Sequence, residues 1–417
     1  MAPDSALPHQ PNEVLIDGVL YDCLNFRHPG GSILKYYLGS GDATETYRQF
    51  HMKLPRADKY LKLLPHRPAP PQHNVNVEEQ KRLAKLSRDF KELQDACVEE
   101  GLFDPSWPHI FYRFSELIVM HVVGFYILFR LSLLWPIALV ILGVAEGRCG
   151  WWMHEAGHYS VTGIPWLDIK IQEVLYGLGD GMSASWWRSQ HNKHHATPQK
   201  HHHDVDLETL PLVAFNAIIA RRGRRSVNIR RWISLQRYLF APVTCSLVAL
   251  YWQLFLHVRH AMRTRRYTEG AAILCRWIAV GVICHKLQVS FWQGLGGVLF
   301  SQAFGAAYIF ISFALNHTHL PMLPEDQHAH FVEYAAVYTM NVTPSWLVTW
   351  FMGYLNYQVE HHLFPSMPQF RFVQLAPRVR RLFEENGLKY DSRPYAKSLQ
   401  TTFKNLGDVA EFIVAGK

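Results

Sequence analysis

Residues 151–160 read WWMHEAGHYS, and inside them His154-Glu155-Ala156-Gly157-His158 spells H-E-x-x-H. In one chemistry this spacing lets two histidines hold a single zinc while the glutamate acts as general base. In another the same two imidazoles are part of a larger, redox-active metal centre. A helix puts residues i and i+4 on one face for either purpose. The rest of the chain has to decide between them.

Of 417 residues, 49% are apolar, yet the mean hydropathy is −0.07, so apolar residues are clustered between polar stretches. The 24 histidines exceed what packing calls for. Lys and Arg total 42 against 34 Asp and Glu, a net charge of +8. In a chain with membrane spans this excess points to anionic headgroups and cytosolic loops before nucleic acid. The six cysteines are scattered without a C-x-x-C pair, which argues against a disulfide framework or zinc ribbon. MAPDSALPHQPNEVL has no basic start followed by an apolar run, so no cleaved leader is expected.

Residues 12–65 read as a small module, with VLIDGVLYD alternating like two strands around Asp17-Gly18. HRPAPPQH (66–73) reads as a proline-rich linker holding the module at a distance. Leu83, Leu86, Phe90, Leu93 and Cys97 mark an amphipathic helix that Gly101 stops. Residues 66–110 are therefore linker and helix, and 111–417 a membrane domain. Residues 112–153 form a helical hairpin turning near Arg130, since a span needs about 20 residues. A loop with seven arginines between Arg221 and Arg237 is expected in the cytosol.

Three apolar stretches follow, 238–256, 271–283 and 295–315. Later histidines meet His154 only if an even number of crossings intervenes, so two of the three span. The middle one is short and interrupted by Arg276, so it is expected to be interfacial, which strands Arg259, Arg263, Arg265 and Arg266 on the non-cytosolic side. If the first stretch lies in the interface instead, that charge conflict disappears. The tail from 365 reads as helical and soluble.

Histidines also gather in HNKHH (His191, His194, His195), QVEHH (Gln358, His361, His362) and NHTH (His317, His319). HNKHH and QVEHH line one helical face at i, i+3, i+4. One cluster alone would pass as interfacial polarity, but four clusters beside apolar stretches do not. HHHD (201–204), with His203, is a candidate outer partner of the ligands. A catalytic zinc needs about three protein ligands, whereas these histidines suffice for two metals. Zinc has no redox chemistry, so the question becomes whether electrons are supplied.

FRHPGG offers His28 and RQFH offers His51, a pair able to clamp a haem iron from both faces for electron transfer. IDGVLYD, HPGG and ATETYRQFH together resemble the cytochrome b5 fold from Val14 to about Leu64. With HEAGH, HNKHH and QVEHHLFP, nearly the whole chain resembles the front-end, cytochrome b5-fusion membrane fatty acid desaturases, most like the Δ5 and Δ6 polyunsaturated enzymes. The resemblance implies a multi-domain fold: a small α+β haem domain, then an all-α membrane domain of about four transmembrane helices under a cytosolic histidine-rich cap. It implies haem b on His28 and His51, and two non-haem irons on His154, His158, His191, His194, His195, His361 and His362. His317 is an additional ligand, and Gln358 either ligates or holds a water.

The implied reaction inserts a cis double bond, Δ5 ahead of Δ6, into a polyunsaturated acyl chain carried on coenzyme A or phospholipid. Dioxygen is the oxidant. No dinucleotide fingerprint is present, so NADH-cytochrome b5 reductase or a similar flavin enzyme would reduce the haem. The resemblance places the chain as a multi-pass protein of the endoplasmic reticulum membrane, with haem and boxes facing the cytosol. Trp151, Trp152, Trp186 and Trp187 would wall an acyl tunnel or form an aromatic belt. Glu155 is expected behind the ligands. The alternatives are a sphingolipid long-chain-base desaturase, a di-iron hydroxylase, or, remotely, an intramembrane zinc protease using HEAGH.

Overall fold

The alternation in EVLIDGVLYD becomes two antiparallel strands, β1 (Glu13–Ile16) and β2 (Val19–Asp22), in a computed structural model that describes residues 10–70 and 76–415. The turn between them needs positive φ twice, at Asp17 (51°) and Gly18 (73°), and a two-residue hairpin takes such residues for that reason. Two short helices follow, α1 (Thr44–His51) and α2 (Arg56–Leu61). The expected linker starts differently: His66–Pro68 is a third strand, β3, paired to β2. The rest of HRPAPPQH, from residue 71, and the N-terminal residues 1–9 lie outside the described residues.

The expected fold class, a separate α+β haem domain followed by an all-α domain of about four spans, is not the fold found. The structure is mostly helical with small sheets, and the N-terminal segment packs directly on the helical body. Tyr37 donates its hydroxyl to the Ala196 carbonyl at 2.7 Å, Gln49 bonds Gln94 at 3.0 Å, and Lys53 Nζ reaches the Phe103 carbonyl at 3.0 Å. The ring of Tyr36 stacks on His203 with centroids 4.5 Å apart. Direct contacts of this kind leave no standing distance between module and body.

The amphipathic helix is α3 (Val77–Glu99), which buries Leu86, Phe90 and Cys97, and Gly101 takes positive φ (70°) just past its end. The hairpin is α4 (Trp107–Arg130) with α5 (Trp135–Gly157). A short α6 (Pro165–Val174) leads to α7 (Ala184–Ala196), then to α8 (Ala217–Gly223) and α9 (Val227–Ser234). Three long apolar helices follow, α10 (Gln236–Arg263), α11 (Tyr267–Lys286) and α12 (Phe291–His317). By length and composition five helices can cross a membrane (α4, the 132–157 helix containing α5, α10, α11 and α12).

The contacts of these helices reverse the expected roles of α10 and α11. At one end of α10, Gln236 bonds the backbone of Ala214 and Leu406. At the other, His257 accepts from Ser183 N at 2.9 Å, just before α7. Both ends therefore sit in the histidine half of the molecule. Helix α11 begins there too, with Glu269 accepting from Ser185 N, and descends until Cys284 lies beside Gly294 at the far start of α12. Arg276, the residue that argued against a span, is paired to Glu146 of α5 at 2.6 Å. A paired charge costs far less inside an apolar layer than a lone one.

Helices α5 and α12 run side by side in the same direction. A Cβ at Gly143 would lie 2.1 Å from the Ser301 carbonyl oxygen, so only glycine allows that approach. The remaining helices, α13 (Phe331–Tyr338), α14 (Trp346–Phe351), α15 (Gln358–Leu363), α16 (Phe372–Glu385) and α17 (Tyr395–Val414), build a cap with a two-residue parallel pairing of β4 (Asn341–Val342) on β5 (Ser392–Arg393). Leu86, Phe90, Phe364, Phe372 and Phe383 form a buried core behind α15.

Candidate metal centre

Four chain segments deliver imidazoles to one buried spot. Helix α5 ends in His154 and His158, with Gly157 packed against Trp187 and Gln172. Helix α7, capped by Ser183, presents His191, His194 and His195. The last turn of α12 supplies His317, and the six-residue α15 supplies Gln358, His361 and His362. Asn341 fixes α15 by accepting from Val359 N at 2.9 Å and donating to Glu360 at 2.8 Å, while Tyr390 donates to the same carboxylate at 2.7 Å.

The histidines divide into two groups. His154, His158, His191, His195 and His361 form one, and His194, His317 and His362 the other, with donor atoms within 4.8 Å of one another in each. All are buried. The groups touch where His195 stacks on His362, centroids 4.2 Å apart. Gln358 Nε2 lies 2.9 Å from His317 Nε2 and 3.3 Å from His362 Nε2, so this amide is the fourth side chain of the smaller group.

The donor chemistry fits two irons. His154 Nε2, His158 Nε2, His195 Nδ1, His362 Nδ1 and both nitrogens of His361 are buried without a hydrogen-bond partner among the described residues. Buried polar atoms left unmatched in such number are costly unless a cation takes them. Burial and neighbouring imidazoles hold His191, His195, His361 and His362 well below the ordinary histidine range, and burial lowers His158 to about 3. They are thus neutral bases at neutral pH, the form that ligates metal. Burial would also lower His194, but the Asp204 and Asp206 carboxylates beside it raise it to about 9.

Other expected residues lie elsewhere. His319 Nε2 accepts from Arg393 at 3.1 Å and stays outside both groups. His203 stacks on Tyr36. Glu155 faces backward and accepts from Gln369 N at 3.0 Å, and the Gln369 side chain reaches His154 Nδ1 at 3.0 Å. A zinc-protease base would face the metal, so the opening motif is not one. Gln369 escaped the sequence reading because nothing in PSMPQF marks it. His28 and His51 face each other in the N-terminal segment, centroids 6.0 Å apart, and His51 Nδ1 lies 2.8 Å from the Tyr47 carbonyl.

Below the histidine groups a cavity of about 840 Å³ runs between α5, α7, α10 and α12. Its walls include Trp186, Trp187, Phe310 and Phe313, and it begins at His191, His194, His317 and Gln358. The family described as fatty acid desaturase matches residues 131–394, which hold every histidine of both groups. The chain belongs to the fatty acid desaturase family.

The acyl-lipid (8-3)-desaturase of Rebecca salina is 50% identical over 98% of this chain and 93% of its own length. That of a Thraustochytrium species is 46% identical over 96% and 93%. Human fatty acid desaturase 3 is 28% identical over 96% and 91%. At 96–98% of this chain, these matches take in the N-terminal segment as well as the helical body. The desaturase is thus an oxidoreductase whose substrates are a fatty acyl chain and dioxygen, with the apolar helices of a membrane protein.

Proposed function

We propose that this desaturase is a front-end enzyme that puts a cis double bond, at Δ5 ahead of Δ6, into a polyunsaturated acyl chain attached to a membrane lipid. One observation carries the reading: eight buried histidines in two groups stand at the top of a long apolar cavity. The acyl-lipid names of two close relatives favour a lipid carrier over coenzyme A. Two irons, when bound, supply the dioxygen-dependent oxidation that takes two hydrogens from an unactivated chain. His154, His158, His191, His195 and His361 would hold one of them, and His194, His317 and His362 with Gln358 the other. Asp204, 3.0 Å from His194 Nδ1, holds that ring and would leave Nε2 free for the metal. The aromatic and aliphatic walls exclude water and align the chain.

His28 and His51 would hold a haem b, which would supply electrons one at a time. Their ring centroids, 6.0 Å apart, leave room for a metal bound by both imidazoles at bond lengths of about 2 Å. A flavin reductase such as NADH-cytochrome b5 reductase would refill the haem. The cap, with its arginines, would face the cytosol from the endoplasmic reticulum membrane.

Yeast expressing the protein and fed individual polyunsaturated acids tests the reading, with double-bond positions read by mass spectrometry and iron and haem measured on purified protein. New carboxyl-side double bonds with about two irons per chain are expected. Loaded protein that desaturates no fed acid would overturn it.

A further inference from the structure

The far end of the cavity is polar where an acyl chain needs only apolar walls. Gln302 of α12 lines it, is 4% exposed, and neither Nε2 nor Oε1 finds a hydrogen-bond partner among the described residues. Its neighbours along the same wall are Gly305, Ala306 and Ile309, which offer no side-chain acceptor. Glu146 nearby is taken up by Arg276, and Asp180 Oδ2 likewise has no partner. A primary amide buried with both ends unmet is expensive. A leucine would fill the space at no such cost.

Gln302 stands about 22 Å from His317 along α12, at 1.5 Å per residue. This is more than half the ~30 Å thickness of a hydrocarbon layer, so the amide meets the methyl-side part of a long chain whose carboxyl-side carbons lie under the histidines. A saturated segment offers that amide nothing. A cis double bond offers a π face to an N–H donor, and weakly polar C–H groups beside it to the carbonyl oxygen. We propose that Gln302 reads a cis double bond near the methyl end of the acyl chain and so makes the enzyme select substrates by unsaturation remote from the reacting carbons. The inference rests on the desaturase reading above and names its substrate class.

The test is competition between two acids of equal length, identical except that one carries an extra cis double bond near its methyl end. Both are fed together to yeast expressing wild type or Gln302→Leu. Wild type is expected to convert the more unsaturated acid several-fold better, and Gln302→Leu to bring the ratio close to unity while total product persists. Equal conversion by wild type overturns the proposal without recourse to any variant. An unchanged ratio in Gln302→Leu, or in the equally long Gln302→Met, overturns it as well. If iron-loaded wild type converts neither acid, the desaturase reading falls and takes this inference with it.

Discussion

Asp204 grips His194 from behind: its carboxylate lies 3.0 and 3.1 Å from Nδ1 and also accepts from Gln199 N at 2.7 Å and Asp206 N at 3.0 Å. The loop that turns back after α7 is thereby tied to a member of the smaller histidine group. Asp204→Asn keeps the shape but removes the charge that fixes the ring's tautomer. It is expected to lower iron affinity or turnover about 10- to 100-fold. Iron analysis after dialysis against a graded chelator series measures this, and wild-type retention by the variant would remove Asp204 from the site.

His361 and His319 make a controlled pair. Both nitrogens of His361 are unmatched at the centre of the five-histidine group, whereas His319 bonds Arg393 outside it. His361→Ala should lose iron and all product while any haem spectrum survives. His319→Ala should keep iron. Elemental analysis of the two purified variants decides it.

His51→Ala is expected to do the opposite. With one of the two facing rings gone, the six-coordinate haem spectrum should be lost, iron content kept, and turnover starved of electrons. An unaltered visible spectrum would show that His51 is no haem ligand.

The seam between the N-terminal segment and the loop after α7 should respond to pH. Burial, with Lys200 adding, lowers His203 to about 4 where it stacks on Tyr36. A histidine depressed in the docked state binds fewer protons there than when released. Docking is therefore fully supported above the free value near 6.5 and weakens as pH falls from there toward 4. Amide exchange over Leu34–Tyr37, corrected for intrinsic rates, should lose protection as pH falls from about 6.5 toward 4. In His203→Phe that pH dependence should vanish.

Gly143 tests the close approach of two helices. A side chain there would run into the Ser301 carbonyl, so Gly143→Val should force α5 and α12 apart. The cost is about 1–3 kcal/mol or more, visible as a lower melting temperature in detergent and, because the helix ends separate, as weaker iron retention.

The histidine spacing in HNKHH and QVEHH and the alternation of VLIDGVLYD were legible because each is a local pattern with a period set by one helix or one strand. The parity requirement was legible too, since it follows from the boxes meeting at all. Which stretch crosses was not. Arg276 reads as a charge in an apolar run, and only the fold shows Glu146, 130 positions away, pairing with it. The N-terminal module was overdrawn for a similar reason. Proline-rich composition suggests a spacer, but Tyr36, Tyr37 and Gln49 make contacts that no local pattern announces. Gln369 and Gln302 were invisible because glutamines carry no spacing signal.

The placement of both ends of α10 beside the boxes has a practical corollary. With α4 and α5 forming one excursion and α11 and α12 another, the first strand and the final helix emerge into the same compartment. A split fluorescent reporter divided between the two termini should therefore reassemble in living cells, and only with both fragments exposed to a single side.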